Sequence, residues 1–213
     1  GVISGMSMDG GRFFYPNPLS SDGKYAFNAD GNTTRQPWFG CACCPSNLCR
    51  FIPSVPGYLY GVKDNNIYVN LFAGNTSTIK VNGKDVVLEE TTEYPWNGDI
   101  KIAVKKSGVK NANLLVRIPG WVRNQVVPSD LYKYSDAEKP AYTVTVNGKA
   151  VEADLDANKG YLPVKNIKKG DVIRIHFDMP IRTVVANGKV ADDNGKVAVE
   201  RGPLVYCAEA VDN

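Results

Sequence analysis

Tyr142-Thr143-Val144-Thr145-Val146-Asn147-Gly148-Lys149-Ala150-Val151 is the stretch whose reading decides the fold class. Apolar and polar side chains alternate with a period of two, which sets one face of a strand on a core and the other in water. Asn147-Gly148 then supplies two residues that tolerate positive φ, as a two-residue hairpin turn requires. The pattern recurs in both directions. Upstream, strands at 58–62 and 67–72 flank Asp64-Asn65-Asn66, and strands at 77–81 and 86–88 flank Asn82-Gly83. Alternating runs follow at 100–104 and 114–118. Downstream come 172–177, 181–185, 197–199 and 204–206. About a dozen short strands joined by tight turns predict a mainly β fold, an antiparallel two-sheet β-sandwich of jelly-roll type. The alternation points Val144, Val146, Ile173, Ile175 and Phe177 inward.

Composition agrees with a globular protein. Of 213 residues, 43% are hydrophobic and 22% charged, which excludes a disordered, collagen-like or coiled-coil chain. No run approaches the roughly 18 apolar residues of a membrane span. The formal charge is +3, and the positives are nowhere denser than Lys105-Lys106 or Lys168-Lys169. So weak and dispersed a field excludes a phosphate-tracking surface, and no nucleic-acid partner is expected. The opening Gly1-Val2-Ile3 has no initiator Met and no signal-peptide pattern, and reads as a piece cut from a longer protein.

The first 40 residues lack a period. Phe13-Phe14-Tyr15-Pro16-Asn17-Pro18-Leu19 is aromatic but irregular, and Ser20-Ser21-Asp22-Gly23 reads as a turn. A loop this long lines a site or packs against something else. Four of the five cysteines (Cys41, Cys43, Cys44, Cys49) then fall within nine positions, while Cys207 lies near the end. Clustering of this kind favours metal binding or reactive thiols over a disulfide scaffold. Pro45 suits the first position of a helix, and Leu48, Phe51 and Ile52 sit at i, i+3, i+4; Pro53 and Pro56 are expected to stop it early. Cys43 and Cys44 would then stand at a helix N-terminus, where unpaired amides and the dipole favour anions, with no disulfide to Cys207. As a zinc site the run is incomplete, because a second ligand pair with the right spacing is missing. On the residues alone, a metal or nucleophile role and a role as buried thiols stand equal.

Other candidates read more plainly. His176, the single histidine, alternates with the apolar face of its strand and reads as a surface residue rather than a catalytic one. Trp121, and Trp96 within Tyr94-Pro95-Trp96, could serve as sugar platforms; packing at a loop or domain interface is the plainer reading. A platform would be exposed among polar neighbours. A structural Trp121 would instead pack against residues 1–57 or face a neighbouring domain.

The run Trp38-Phe39-Gly40-Cys41-Ala42-Cys43-Cys44-Pro45-Ser46-Asn47-Leu48-Cys49-Arg50 resembles the Cys-Cys-Pro-x-Asn-x-x-Arg signature of glycoside hydrolase family 127, the β-L-arabinofuranosidases. Gly57-Tyr58-Leu59-Tyr60, Ile67-Tyr68-Val69-Asn70-Leu71, Arg117-Ile118-Pro119-Gly120-Trp121 and Glu200-Arg201-Gly202-Pro203-Leu204-Val205-Tyr206 resemble that family in the same order. The resemblance implies an (α/α)6 catalytic barrel followed by β-sandwich domains. Residues 1–57 would be the last loop and helix of the barrel, and 58–213 the middle β-sandwich. It also implies a zinc ion held by an upstream Glu and Cys together with the adjacent pair, here Cys43 and Cys44, with Cys43 as the nucleophile. Zinc and a helix N-terminus both favour a thiolate that can attack an anomeric carbon, in place of the usual carboxylate. The remaining ligands and the acid/base Glu would lie in the missing barrel, so this chain alone is expected to be inactive and to hold no zinc. The parent would act on arabinofuranose-containing glycans. A bacterial protein is expected, periplasmic or secreted rather than cytoplasmic. The rival readings are a non-catalytic carbohydrate-binding module and a structural β-sandwich.

Overall fold

At the two Asn-Gly pairs the backbone takes the conformation those residues permit. Asn82 and Gly83 have φ of 48° and 75°, and Asn147 and Gly148 have 51° and 82°. Positive φ at both central positions gives the turn whose twist matches that of the strands it joins. Val81 therefore pairs with Lys84, and Val146 with Lys149. These contacts come from a computed structural model of the chain, which describes residues 5–16, 18–41 and 43–210.

The fold is mainly β with one short α-helix. Six strands lie side by side in the order Lys149–Ala150, Tyr142–Val146, Val172–Phe177, Asp99–Ser107, Lys84–Thr92 and Asn75–Val81. Four others form a second sheet in the order Tyr161–Val164, Asn113–Arg117, Asn66–Val69 and Tyr60–Lys63. Both sheets send alternate side chains into one core. Leu88, Ile102, Val144, Ile173 and Phe177 come from the first, and Ile67, Val69, Leu114, Val116 and Leu162 from the second. The inward set read from the alternation is thus buried, except that Val146 is only half-buried at the strand end.

The expected all-antiparallel pairing needs one correction. Asn66–Val69 and Asn113–Arg117 run parallel. Between them the chain lays Asn75–Val81, Lys84–Thr92 and Asp99–Ser107 into the other sheet and returns in the same sense, the crossover a parallel pair requires. Four strands lie outside those expected from the sequence: the two-residue Ser20–Ser21, expected as a turn, and Ala208–Glu209, then Tyr132–Tyr134 and Tyr161–Val164. Tyr161–Val164 contains Pro163, which has no amide to donate; the strand lies at the sheet edge, where that loss is tolerated.

A third sheet orders Leu204–Tyr206, Val197–Arg201, Ile181–Ala186 and Tyr132–Tyr134. Its inner face is polar at one spot. Buried Arg182 lies over the Tyr134 ring at 3.3 Å and donates to Asn124 Oδ1 and Asp136 Oδ1, both at 2.6 Å. The Tyr134 hydroxyl donates to buried Glu200. A parallel pair, Ser20–Ser21 with Ala208–Glu209, ties the irregular N-terminal segment to the end of the chain. Beside it, Arg35 grips Glu209 with both terminal nitrogens, at 2.8 and 2.6 Å.

Glu90 is buried in the six-stranded sheet, accepting from the Tyr60 hydroxyl and the Ala73 amide, both at 3.0 Å. Burial pushes its pKa up to about 7 from an ordinary 4.5, against the lowering effect of those two donors. The folded state therefore holds this proton more tightly than the unfolded state does. Stability is fully present below the unfolded value and falls as pH rises through the folded one. In urea titrations at fixed pH, the wild type loses on the order of 3 kcal/mol between about pH 4.5 and 7 from this group. Glu90→Gln removes most of that slope. An unchanged slope in the variant would assign it elsewhere.

Candidate active site

The segment before the helix is irregular in backbone but anchored by side chains. Phe39 is buried and meets the rings of Phe13 and Tyr15 edge-on, with centroids 5.0 and 5.2 Å away. Phe13 and Gln36 exchange backbone hydrogen bonds. Buried Asn28 accepts from the Tyr15 amide at 2.9 Å and donates to the Thr34 carbonyl at 2.9 Å. These contacts set Tyr15 beside the start of the helix Cys43–Ser54.

Cys43 is the first residue of that helix, with Cys44 next and Pro45 third. The sequence placed Pro45 first. The shift costs no hydrogen bond, because the first four amides of a helix have no intrahelical acceptor. Pro53 does not stop the helix, which continues through Ser54 into the 3₁₀ turn Val55–Tyr58. Its ring forfeits one bond near a terminus where the ladder is ending anyway. No described residue of this helix is buried, and Phe51 and Ile52 of the apolar stripe are about half exposed.

Three sulfurs and a phenol converge at the helix start. Cys43 Sγ lies 3.3 Å from Tyr15 Oη, 3.3 Å from Cys41 Sγ and 3.8 Å from Cys44 Sγ. The thiols of Cys43, and then of Cys44 and Cys41, hold the Tyr15 phenol above its ordinary range, so it keeps its proton and can donate toward sulfur. All five cysteines are free, Cys207 included, and all are exposed. Among the described residues no group of three or more His, Cys, Asp or Glu is arranged to hold a metal ion. The Cys43–Cys44 pair nonetheless suits one. Two thiolates bound at about 2.3 Å in a tetrahedron stand roughly 3.8 Å apart, the separation found here.

The model of the GH127 β-L-arabinofuranosidase middle domain matches residues 66–179, more than half of the chain. The chain belongs to glycoside hydrolase family 127. The family's catalytic-domain model covers residues 1–57, the segment that carries Tyr15 and the cysteines, and its C-terminal-domain model covers 181–213. A non-reducing end β-L-arabinofuranosidase of Bifidobacterium longum is 35% identical over all of this chain and 30% of its own length. Among solved structures, the GH127 β-arabinofuranosidase BT3674 is 57% identical with a TM-score of 0.87, over 99% of this chain and 32% of that one. The GH127 β-L-arabinofuranosidase Ara127N-Se of Geobacillus stearothermophilus T6 is 34% identical with a TM-score of 0.75, over 95% and 30%. The chain thus spans about a third of the length of the relatives it matches.

The other sequence candidates lie away from the cysteines. His176 is half exposed, with Nδ1 2.7 Å from Asp99 Oδ1 and Nε2 3.1 Å from Asp178 Oδ1. The Asp99 bond raises its pKa, with a further push from Asp178 and a partial offset from burial. No thiol or hydroxyl nucleophile sits on either nitrogen among the described residues. Trp121 is neither a platform nor a prop for residues 1–57. It is buried in the β core, its ring 5.8 Å from that of Phe177 and its indole N–H donating to Tyr94 Oη at 3.3 Å. Trp96 remains exposed. Tyr15 is the residue that sequence reasoning missed: in an aperiodic loop nothing in the spacing tells where a side chain points.

Proposed function

We propose that this chain is the closing part of the catalytic domain and the following β domains of a retaining β-L-arabinofuranosidase, with Cys43 as its nucleophile. Residues 1–57 are read as the end of an (α/α)6 barrel, and 58–213 as a jelly-roll-like β-sandwich region. The observation that carries the reading is Cys43 Sγ at a helix start, within reach of the Tyr15 hydroxyl and beside Cys44, inside the segment matched by the family's catalytic model.

Cys43 sulfur attacks the anomeric carbon of a terminal L-arabinofuranose as the glycosidic C–O bond breaks. The departing oxygen takes a proton from a general acid beyond the described residues. Water, giving a proton back to that same group, then displaces the sulfur as a thiolate, so two inversions give net retention. Cys43 and Cys44 would hold a zinc ion, with further donors supplied from elsewhere; bound zinc keeps a thiol deprotonated at neutral pH. Tyr15 orients the Cys43 sulfur through its hydroxyl proton.

An aryl β-L-arabinofuranoside assay tests this, comparing the 213-residue chain with a longer family protein that contains it. The chain alone is expected to show no turnover, since a proton donor is typically worth roughly 10²–10⁴-fold in rate. The longer protein is expected to release the β anomer first, seen by NMR. Turnover by the chain alone, or release of the α anomer first, would overturn the proposal.

A further inference from the structure

The outward face of the six-stranded sheet carries a shallow groove of about 390 Å³. Strand register fixes its lining. Arg174 lies directly opposite Lys101 on one side and Thr145 on the other, and Lys101 lies opposite Thr91. In the next row His176 lies between Asp99 and Thr143. Like charges directly opposed on neighbouring strands are destabilising. On the adjoining strands, Lys105 pairs with Glu89 at 3.0 Å and Lys106 with Asp85 at 3.1 Å. Beyond the backbone ladder, the side chains of Arg174 and Lys101 make no ion pair or hydrogen bond to any described residue, and the hydroxyls of Thr91, Thr143 and Thr145 are equally unengaged among the described residues.

An unneutralised cation pair set in a concavity and bordered by free hydroxyls suits an anionic ligand. Arg174 presents a planar fork that fits a carboxylate with two parallel hydrogen bonds, and Lys101 adds a point charge. No Phe, Tyr or Trp lines the groove, so a neutral sugar finds no stacking platform there. Asp99 Oδ1 is engaged by His176, which leaves Oδ2 to accept from a ligand hydroxyl. The same carboxylate repels a second anionic charge, which disfavours phosphate. A single carboxylate flanked by hydroxyls meets all of these conditions.

We propose that this face binds a uronate-bearing saccharide, its carboxylate held by Arg174 and Lys101 and its hydroxyls by the threonines and Asp99. The site is separate from Cys43 and stands or falls independently of the arabinofuranosidase reading. Isothermal titration of the 213-residue chain at low salt tests it with three probes: trigalacturonate, a neutral arabinotriose and sodium phosphate. Trigalacturonate is expected to bind at least about tenfold more tightly than either of the others. The Arg174→Ala/Lys101→Ala variant should weaken it by about tenfold or more, while Lys105→Ala outside the groove leaves it unchanged. Phosphate binding as tightly as trigalacturonate, undiminished binding by the double variant, or no trigalacturonate binding would each overturn the proposal. Both groove side chains lie on an exposed face, so circular dichroism should show the double variant folded like the wild type.

Discussion

Cys43→Ser, made in a longer family protein that contains this chain, is expected to lower turnover of an aryl β-L-arabinofuranoside by about 10⁴-fold or more. The loss follows from the atom exchanged. A serine hydroxyl is a far weaker nucleophile than a thiolate and a poor ligand for zinc, so both proposed roles of the side chain fail together. Folding should be nearly untouched, because Cys43 is exposed and, among the described residues, its sulfur meets only Tyr15, Cys41 and Cys44. A change within about 0.5 kcal/mol in urea unfolding is expected. Two companions separate chemistry from structure. Cys49→Ser alters an exposed thiol of the same helix with no sulfur contact among the described residues, and should keep wild-type rate. Tyr15→Phe keeps the ring against Phe39 and loses only the hydroxyl, so its rate should fall between the other two. A Cys43→Ser protein with unimpaired turnover would place the nucleophile elsewhere.

The β region was legible because its signals are local. A period of two marks which side chains point inward, and an Asn-Gly pair dictates a hairpin without reference to anything distant; Val144, Ile173, Ile175 and Phe177 are buried as that logic requires. What failed depends on the partner strand. Tyr161–Val164 includes a proline that reads as a break until its edge position is known. The parallel pairing of Asn66–Val69 with Asn113–Arg117 follows from a crossover no short window contains. The site divides in the same way. Adjacent cysteines before a proline stand out in sequence, and Cys43 does open a helix. Tyr15 reaches Cys43 across 28 positions through the packing of Phe13 and Phe39, and that packing has no periodic signature.

Phe177→Ala is expected to cost about 3–5 kcal/mol. The side chain is 1% exposed and stands among three other rings, with Phe72, Trp121 and Tyr94 centroids at 5.7, 5.8 and 6.4 Å. Ring pairs at such separations favour one another beyond simple area burial. Truncation would remove all three contacts at once and leave a cavity among bulky neighbours. Those neighbours cannot close it freely. Trp121 is held by its hydrogen bond to Tyr94, and the backbone of Phe177 sits so close to Gly98 that a methyl there would run into the Phe177 carbonyl. Against a total stability of about 5–15 kcal/mol for an ordinary domain, the loss is a large fraction. Urea unfolding followed by tryptophan emission measures it: the midpoint should fall with the slope unchanged, because the same surface is exposed on unfolding. Phe177→Leu, which refills part of the space, should recover more than half of the difference. A loss under 1 kcal/mol for the alanine variant would mean that the Phe72–Tyr94–Trp121 cluster packs without its central ring, and that the sheet Val172–Phe177 belongs to is held at this end by something other than aromatic contact.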